Sequence, residues 1–431
     1  MELSVLVLVV SFVILLALSV PIAVSIGIST LLTMLVTIPF EPAIITVAQR
    51  MASGIDSFAL LAIPFFVLSG MLMGRGGIAH RLIEFAKVLV GMLPGGLAIV
   101  NILACMFFGA ISGSAAAATS AIGGFMIPIM NKEGYDKNFN TAVTVTAATT
   151  GLLIPPSNVL IVYSLASGGV SIAALFIAGY LPGILMGLGL AIVAGIISLV
   201  RKYPVGKREG FVVSIKKFLA AIPSLMLIVV VIGGIITGIF TATEASAIAV
   251  LYSFVLSVFI YKEVKLTELP EILLKSVETT AIVMLLIGTS TAMSWILSYE
   301  NIPQSISAAL IGMTDNKYVI LLIINILLLI VGTFMDMTPA ILIFTPIFLP
   351  VVTNLGITPL HFGIIMVMNL CIGLTTPPVG SVLFLGCGIG NTSIGKVIKP
   401  LMPLYAAMFV VLLLVTYFPW ISEVLPKLFG Y

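Results

Sequence analysis

Asp336 is the side chain in this sequence best placed to do chemistry, because it is a carboxylate set inside the apolar stretch Gly332-Thr-Phe-Met-Asp336-Met-Thr-Pro339. Ionisable groups are costly at membrane depth, so each one there is a functional candidate. A shift of 222 residues brings Asp336 onto Ser114, matching a carboxylate in one half of the chain with a hydroxyl in the other. The same shift superposes Gly151-Leu-Leu-Ile-Pro-Pro-Ser-Asn158 on Gly373-Leu-Thr-Thr-Pro-Pro-Val-Gly380, Pro128 on Pro350, Gly134 on Gly356 and Ser171 on Ser393. One fixed offset over this length reads as an internal duplication. A carboxylate among hydroxyls and free carbonyls is an oxygen cage for a hard monovalent cation. Sodium (Na+) is the expected occupant, with a proton site and a plain helix cap as the alternatives.

The elements that must position such a site are interrupted helices. Paired prolines stop helix propagation and leave backbone groups unpaired. In lipid such groups survive only when packed in protein or lining a polar cavity. Two breaks at matching places in two halves point to a secondary transporter with its site at the repeat interface; two merely kinked helices are the plainer alternative. Residues 109–130 read as a re-entrant hairpin or discontinuous helix with its tip at Ser112-Gly113-Ser114, and 332–352 as a second hairpin with Asp336 near its tip. The polar lining expected around them is Ser112, Ser114, Thr119, Ser157, Asn158, Thr375, Thr376 and Ser381, some of which would serve only helix packing. No arginine or lysine falls in these segments. An anionic cargo would therefore rest on hydroxyls, helix N-terminal amides and bound cations, so cation and anion should assist each other. Glu244, after Thr241 and Thr243, reads either as a first-turn helix stabiliser or as a cargo-facing group.

Composition sets the environment. The 431 residues are 61% hydrophobic and 8% charged, with a mean hydropathy of +1.30, whereas soluble chains carry ~25% charge. The chain belongs in a lipid bilayer, with room for roughly ten or more spans of ~20 residues. Cys105, Cys371 and Cys387 have no metal or disulfide spacing. The N-terminus lacks a basic region, so a retained first span is expected rather than a cleaved signal. Arg201, Lys202, Lys207, Arg208, Lys216 and Lys217 crowd one expected loop, and Lys262, Lys265 and Lys275 another; both should be cytoplasmic. Residues 218–240 and 243–261 then fit as an out-and-back pair. Residues 3–39 read as two short spans or one kinked helix, 50–56 as a break, 80–87 as an interfacial amphipathic helix and 402–419 as the last span. Asp315 reads as loop solvation. No catalytic set or phosphate-binding loop is present, and no nucleic-acid partner is expected. An anion channel is the rival class, but duplicated breaks favour alternating access.

Several segments in order carry a family resemblance: Pro64-Phe-Phe-Val-Leu-Ser-Gly70, Gly95-Gly-Leu-Ala-Ile-Val-Asn101, Ser112-Gly-Ser114, Ile127-Pro-Ile-Met130, Gly134-Tyr135, Ile154-Pro-Pro-Ser157, Gly238-Ile-Phe-Thr-Ala-Thr-Glu-Ala245, Asp336-Met-Thr-Pro339 and Thr376-Pro-Pro-Val-Gly380. Over essentially its whole length the chain resembles the large membrane subunit (M) of tripartite ATP-independent periplasmic (TRAP) transporters. The resemblance implies an all-α polytopic membrane protein, an inverted-repeat, elevator-type transporter with two re-entrant hairpins and discontinuous helices. It implies sodium-coupled import of an organic carboxylate, a C4-dicarboxylate or sialic acid, across the bacterial inner membrane. A small four-helix membrane subunit (Q) and a periplasmic substrate-binding protein (P) are the implied partners; a stand-alone symporter is the alternative.

Carried onto this sequence, the implied cation-site residues are Ser112, Gly113, Ser114 and Asn158 in one half and Gly332, Thr333, Asp336, Thr375 and Thr376 in the other. The substrate-facing set is Ser157, Asn158, Thr119, Ser381 and Gly380. The implied division is scaffold at 1–88, first transport repeat at 89–182, central scaffold at 183–275, second transport repeat at 276–400 and a final helix at 401–431. The sequence departs from the family pattern at Ala242, where proline is usual, at Ala117 and Ala118, where an acidic residue is usual, and at Ser381-Val382, where leucine–asparagine is usual. The last change touches the expected site and makes transfer of a substrate by analogy unsafe.

Overall fold

Leucine, isoleucine, valine and alanine fill most of the chain, and in lipid only helices or closed barrels satisfy the backbone. In the computed structural model, which describes residues 2–206, 210–314, 316–377 and 379–431, every regular element is helical. Lys207, Arg208, Asp315 and Pro378, all singled out above, lie outside the described residues. The helices are α1 (Glu2–Ala17), α2 (Ile22–Thr37), α3 (Phe40–Ile55), α4 (Ala62–Arg75), α5 (Ile78–Val90), α6 (Gly96–Ser112), α7 (Ala115–Lys132), α8 (Lys137–Thr150), α9 (Asn158–Ala166) and α10 (Ile172–Val200). They continue as α11 (Phe211–Ile236), α12 (Ala242–Phe254), α13 (Leu269–Tyr299), α14 (Ile302–Met313), α15 (Lys317–Phe334), α16 (Met337–Asn354), α17 (Pro359–Gly373), α18 (Ser381–Ile389), α19 (Ile394–Tyr417) and α20 (Trp420–Leu428). Among the described residues, eight helical segments are long and apolar enough to cross a membrane, and four shorter apolar helices accompany them.

Several boundaries differ from the sequence reading. The 3–39 run is two helices packed on each other. The expected break at 50–56 is mostly the end of α3, an amphipathic helix whose Arg50 guanidinium sits 5.5 Å from the centre of the Trp295 ring. Polar residues one helical turn apart gave that stretch the look of a loop. Lys216 and Lys217 lie inside α11 and Lys275 inside α13, so these three are not loop residues. Lys217 earns its helical place by pairing with Glu84 of α5 at 2.7 Å. Helix α5 outruns the 80–87 expected for it and buries Ile78, Leu82, Ile83 and Phe85. The final span begins at Ile394 and carries Pro400 and Pro403 within it.

The duplication is visible in the helix ends. A 222-residue shift carries the bounds of α7 onto those of α16, and the starts of α8 and α10 onto those of α17 and α19. Gly134 and Gly356 both take left-handed backbone, at φ +84° and +78°, as the turns after α7 and α16 require. Packing is reciprocal: α7 lies on α18 while α16 lies on α9, and α8 lies on α19 while α17 lies on α10. Near the middle, Cys371 Sγ approaches the Thr149 carbonyl at 3.3 Å, and these two residues are themselves one shift apart. A residue here touches its own equivalent in the other half. Helices α8 and α17 carry this contact and are buried along nearly their whole length.

The expected domain edges at 88/89, 182/183, 275/276 and 400/401 fall inside α5, α10, α13 and α19. Around the interlocked repeats, α13 packs on α2, α3 and α4, and α12 packs on α4 and α11.

Candidate functional site

Both hairpins are helix–turn–helix units with longer arms than the sequence suggested. The first is α6 and α7, not 109–130 alone, and the second is α15 and α16, not 332–352. The first arm runs as helix through the small residues 109–112, which serve close packing, and breaks at the expected tip. The tips stand where expected. In the first, Gly113 takes φ +61° and Ser114 caps α7, its Oγ accepting from the Ala117 amide at 3.2 Å. In the second, Asp336 occupies the equivalent cap position of α16 without a side-chain capping bond. Its carboxylate closes no cap on α16 but interacts with the Met337 backbone amide, and it is exposed to the cavity described below.

Each tip meets the helix break of its own half. Between α8 and α9 the chain leaves helix over residues 151–157, and the break delivers Asn158 against the first tip. A Cβ on Gly113 would stand 3.1 Å from Asn158 Nδ2. In the other half α17 stops at Gly373 and α18 starts at Ser381. Gly380, the equivalent of Asn158, donates its backbone N–H to the Thr333 carbonyl at 3.2 Å. Close approach is enforced where the arms cross the broken helices, at Gly109 against Gly151 and at Gly332 against Gly373.

Oxygen atoms with unused bonding capacity gather here. Ser157 Oγ and Asn158 Oδ1 are buried without a hydrogen-bond partner, a state that costs about 1–3 kcal/mol per group when nothing fills it. Thr375 and Thr376 donate their hydroxyls to the Ile372 carbonyl at 2.7 and 2.8 Å, and Thr333 donates to Ile330 at 2.7 Å. Each of those hydroxyl oxygens keeps lone pairs. The donor set is hydroxyl, carbonyl, amide oxygen and carboxylate, which fits a hard cation. Among the described residues no group of three or more His, Cys, Asp or Glu side chains could hold a transition metal.

The two tips and both breaks open onto one cavity of about 810 Å³. Ser112, Gly113, Ser114 and Ser120 line it from the first hairpin, Asn158 from the first break, Asp336 and Thr338 from the second hairpin, and Ser381 from the second break. That volume suits a small organic ligand. Thr119 is placed elsewhere: its hydroxyl donates back to Ala115 at 2.8 Å and its methyl faces Gly386 of α18. Its neighbour Ser120 takes the cavity-facing position that the sequence reading had given to Thr119.

Two contributors were missed. Arg75 of α4 and Lys275 of α13 line the same cavity, so the expectation of a site without basic residues holds for the hairpins but not for the wall opposite them in sequence. Tyr405 of α19 donates its hydroxyl to the Thr375 carbonyl and so holds the second break in place. Neither signal was local: these residues sit outside the repeats' polar motifs, and only tertiary packing brings them in. Glu244, by contrast, completes a capping box with Thr241. Its Oε2 accepts from the Thr241 amide at 2.8 Å, Thr241 Oγ1 accepts from the Glu244 amide at 3.3 Å, and the pair lies outside the cavity. The helix-stabilising reading of Glu244 fits this geometry.

Helical hairpins and interrupted helices folded around one cavity with a few polar groups at its wall are the form of a secondary transporter. Residues 9–421 match the tripartite ATP-independent periplasmic transporter, DctM component, and the chain belongs to that family. It is a multi-pass helical protein of the inner membrane and a transport subunit, not an enzyme. It is 56% identical over 420 residues to the uncharacterized protein YgiK of Salmonella typhimurium, covering 97% of this chain and 96% of that one. It is 42% identical over 411 residues to the C4-dicarboxylate TRAP transporter large permease protein DctM of Pseudomonas aeruginosa, covering 94% of each. Identity is also 42%, over 414 residues, to the isethionate TRAP transporter permease protein DctMQ of Oleidesulfovibrio alaskensis; the match takes in 95% of this chain but 64% of that longer protein. In fold alone the chain is similar to the YdaH transporter of Alcanivorax borkumensis, with a TM-score of 0.57 at 14% identity over 90% of this chain and 88% of that one.

Proposed function

We propose that this chain carries a small organic anion, a carboxylate or sulfonate, into the cell together with sodium, by an elevator movement of the paired repeats. The observation that carries the reading is the meeting of each hairpin tip with the break of its own half around one cavity, with Asn158 Oδ1 left unpaired at its wall and Ser157 Oγ unpaired and buried in the break behind it. In this reading Ser112, Gly113, Ser114 and Asn158 form one cation site. Gly332, Thr333, Asp336, Thr375 and Thr376 form the other. A bound sodium ion supplies positive charge beside the cargo. The protein's own part is to aim the Ser381 and Asn158 side chains at the anion and to hold the break open through Tyr405 and Gly380.

Similarity to relatives named for a dicarboxylate and for isethionate is equal, at 42%, and to one named for sialic acid is 40%, so the cargo is assigned by class. The relative named DctMQ is the longer protein, and its name and extra length support a small membrane subunit as the partner here. A periplasmic binding protein delivers the cargo. The interlocked repeats α6–α10 and α15–α20 would move against α1–α5 and α11–α13, with the cavity facing the cytoplasm in this state. Arg75 and Lys275, at the cavity wall, lie at the helix ends beside the turn that carries Lys262 and Lys265.

The test is uptake into proteoliposomes that hold the chain with its small subunit, driven by a sodium gradient and supplied with candidate binding proteins. Uptake should need the sodium gradient and a cognate binding protein together. Equal uptake with no binding protein present would place the chain among ordinary symporters, and ion conductance in single-channel recordings would place it among channels.

A further inference from the structure

The cavity wall made by α4 and α13 carries charge that the hairpins lack. Arg75 ends α4, Lys275 lies in the second turn of α13, and both line the cavity. Arg75 Nη2 is 2.6 Å and Lys275 Nζ 3.0 Å from the same oxygen, Glu271 Oε1. Glu271 is not among the residues that line the cavity, whereas both cations it pairs with are, and all three side chains are partly exposed. Glu268, the next nearest carboxylate, accepts from the Lys265 backbone amide. The charged residues lining the cavity are therefore Arg75, Lys275 and Asp336, with the positive pair and the carboxylate on different elements. Arg75 and Lys275 share a single acceptor oxygen, so each has donors to spare.

We propose that Arg75 and Lys275 form an anion subsite on the α4–α13 wall, which takes the carboxylate or sulfonate head of the cargo in exchange for part of their bond to Glu271. This rests on the transport reading above and adds a recognition element to it. The guanidinium offers a planar fork that matches a carboxylate in two parallel hydrogen bonds, and the ammonium adds a point charge. Exchange of one carboxylate partner for another keeps both cations satisfied throughout, so the head group can arrive and leave without exposing a bare charge. If the paired hairpins move against α4 and α13, as the transport reading has it, the subsite stays with the wall and serves the cargo only in the state in which the cavity reaches it.

The experiment uses the full chain with its small subunit. Thr279→Cys places a thiol on the cavity wall one helical turn beyond Lys275, while Cys105, Cys371 and Cys387 are buried. Its rates of reaction with an anionic and a cationic methanethiosulfonate of similar size are compared, with and without succinate or isethionate. In the Arg75→Gln/Lys275→Gln background the anionic-to-cationic rate ratio should fall by about tenfold, since a net charge at this range is worth that much. One of the two anions should slow the anionic reagent in the parent and not in that background, and Arg75→Lys/Lys275→Arg should restore the slowing. A ratio that does not change, or equal protection in both backgrounds, overturns the subsite. A parent protein with the expected ratio and protection but no sodium-driven uptake would count against the transport reading alone, and a transporting parent with a flat ratio would count against the subsite alone.

Discussion

Replacing Asp336 by alanine should abolish sodium-driven uptake while leaving the amount of folded complex close to that of the parent. The carboxylate makes no capping bond to α16 and is exposed to the cavity, so no packed contact is lost with it. What disappears is the one acidic side chain among the cavity-lining residues. Even outer partners of a bound metal cost about 10- to 100-fold when mutated, so a direct ligand should cost more than about 100-fold. Asp336→Asn keeps an oxygen but not the charge and should recover only a small part. Transport rates normalised to folded protein are the readout. Unchanged uptake in Asp336→Ala would remove the residue from the site.

The second large effect concerns backbone rather than chemistry. Gly373→Ala should destabilise the chain and lower the yield of folded protein, against the direction helix propensity suggests. Alanine is better than glycine in a helix by about 1 kcal/mol. A Cβ at 373, however, would stand 2.5 Å from the Gly332 Cα. The obstacle is backbone, so no rotamer change relieves it, and overpacking of this kind costs about 1–3 kcal/mol or more. The clash wins. Gly233→Ala in α11, where nothing lies within 4 Å of the added carbon, is the matched control and should be neutral or stabilising. Thermal melts of the detergent-solubilised variants decide it; a Gly373→Ala melt equal to that of Gly233→Ala would show that α15 is not clamped to the end of α17 at this crossing.

Why the repeats were legible before any coordinates lies in the kinds of residue that carry them. Pro128, Gly134, Pro155 and Ser171 act through local backbone rules that hold wherever the residue sits, so a shifted copy of the string is a shifted copy of the turn or cap. Gly134 and Gly356 show this directly, with the same left-handed geometry in both halves. The same locality placed the tips at Ser114 and Asp336. Helix ends in apolar sequence have no such marker. Residues 109–112 hold glycine and serine inside a continuing helix because α6 must touch the Gly151 backbone there. Thr119 and Ser120 are neighbours of similar type, and only the rotation of α7 against α18 decides that Ser120 faces the cavity. Arg75, Lys275 and Tyr405 come from helices distant in the chain, so no window of sequence held them together with Asp336. The Glu244 capping box, a pattern contained in four residues, was readable as one of two outcomes.

In the proposed mechanism sodium is received by the unpaired Ser157 and Asn158 oxygens of the first break and by the Asp336 carboxylate and neighbouring hydroxyls of the second half. A ligand that binds only the folded state raises its stability by RT ln(1 + [L]/Kd), so ion binding can be read without any cargo or binding protein. Unfolding temperatures of the purified complex should be taken in rising sodium chloride, with potassium chloride at equal ionic strength as the reference. Sodium should raise the midpoint well above potassium in the parent and only weakly in Asp336→Ala. Identical curves for the two salts, or a sodium shift that survives intact in Asp336→Ala, would contradict it.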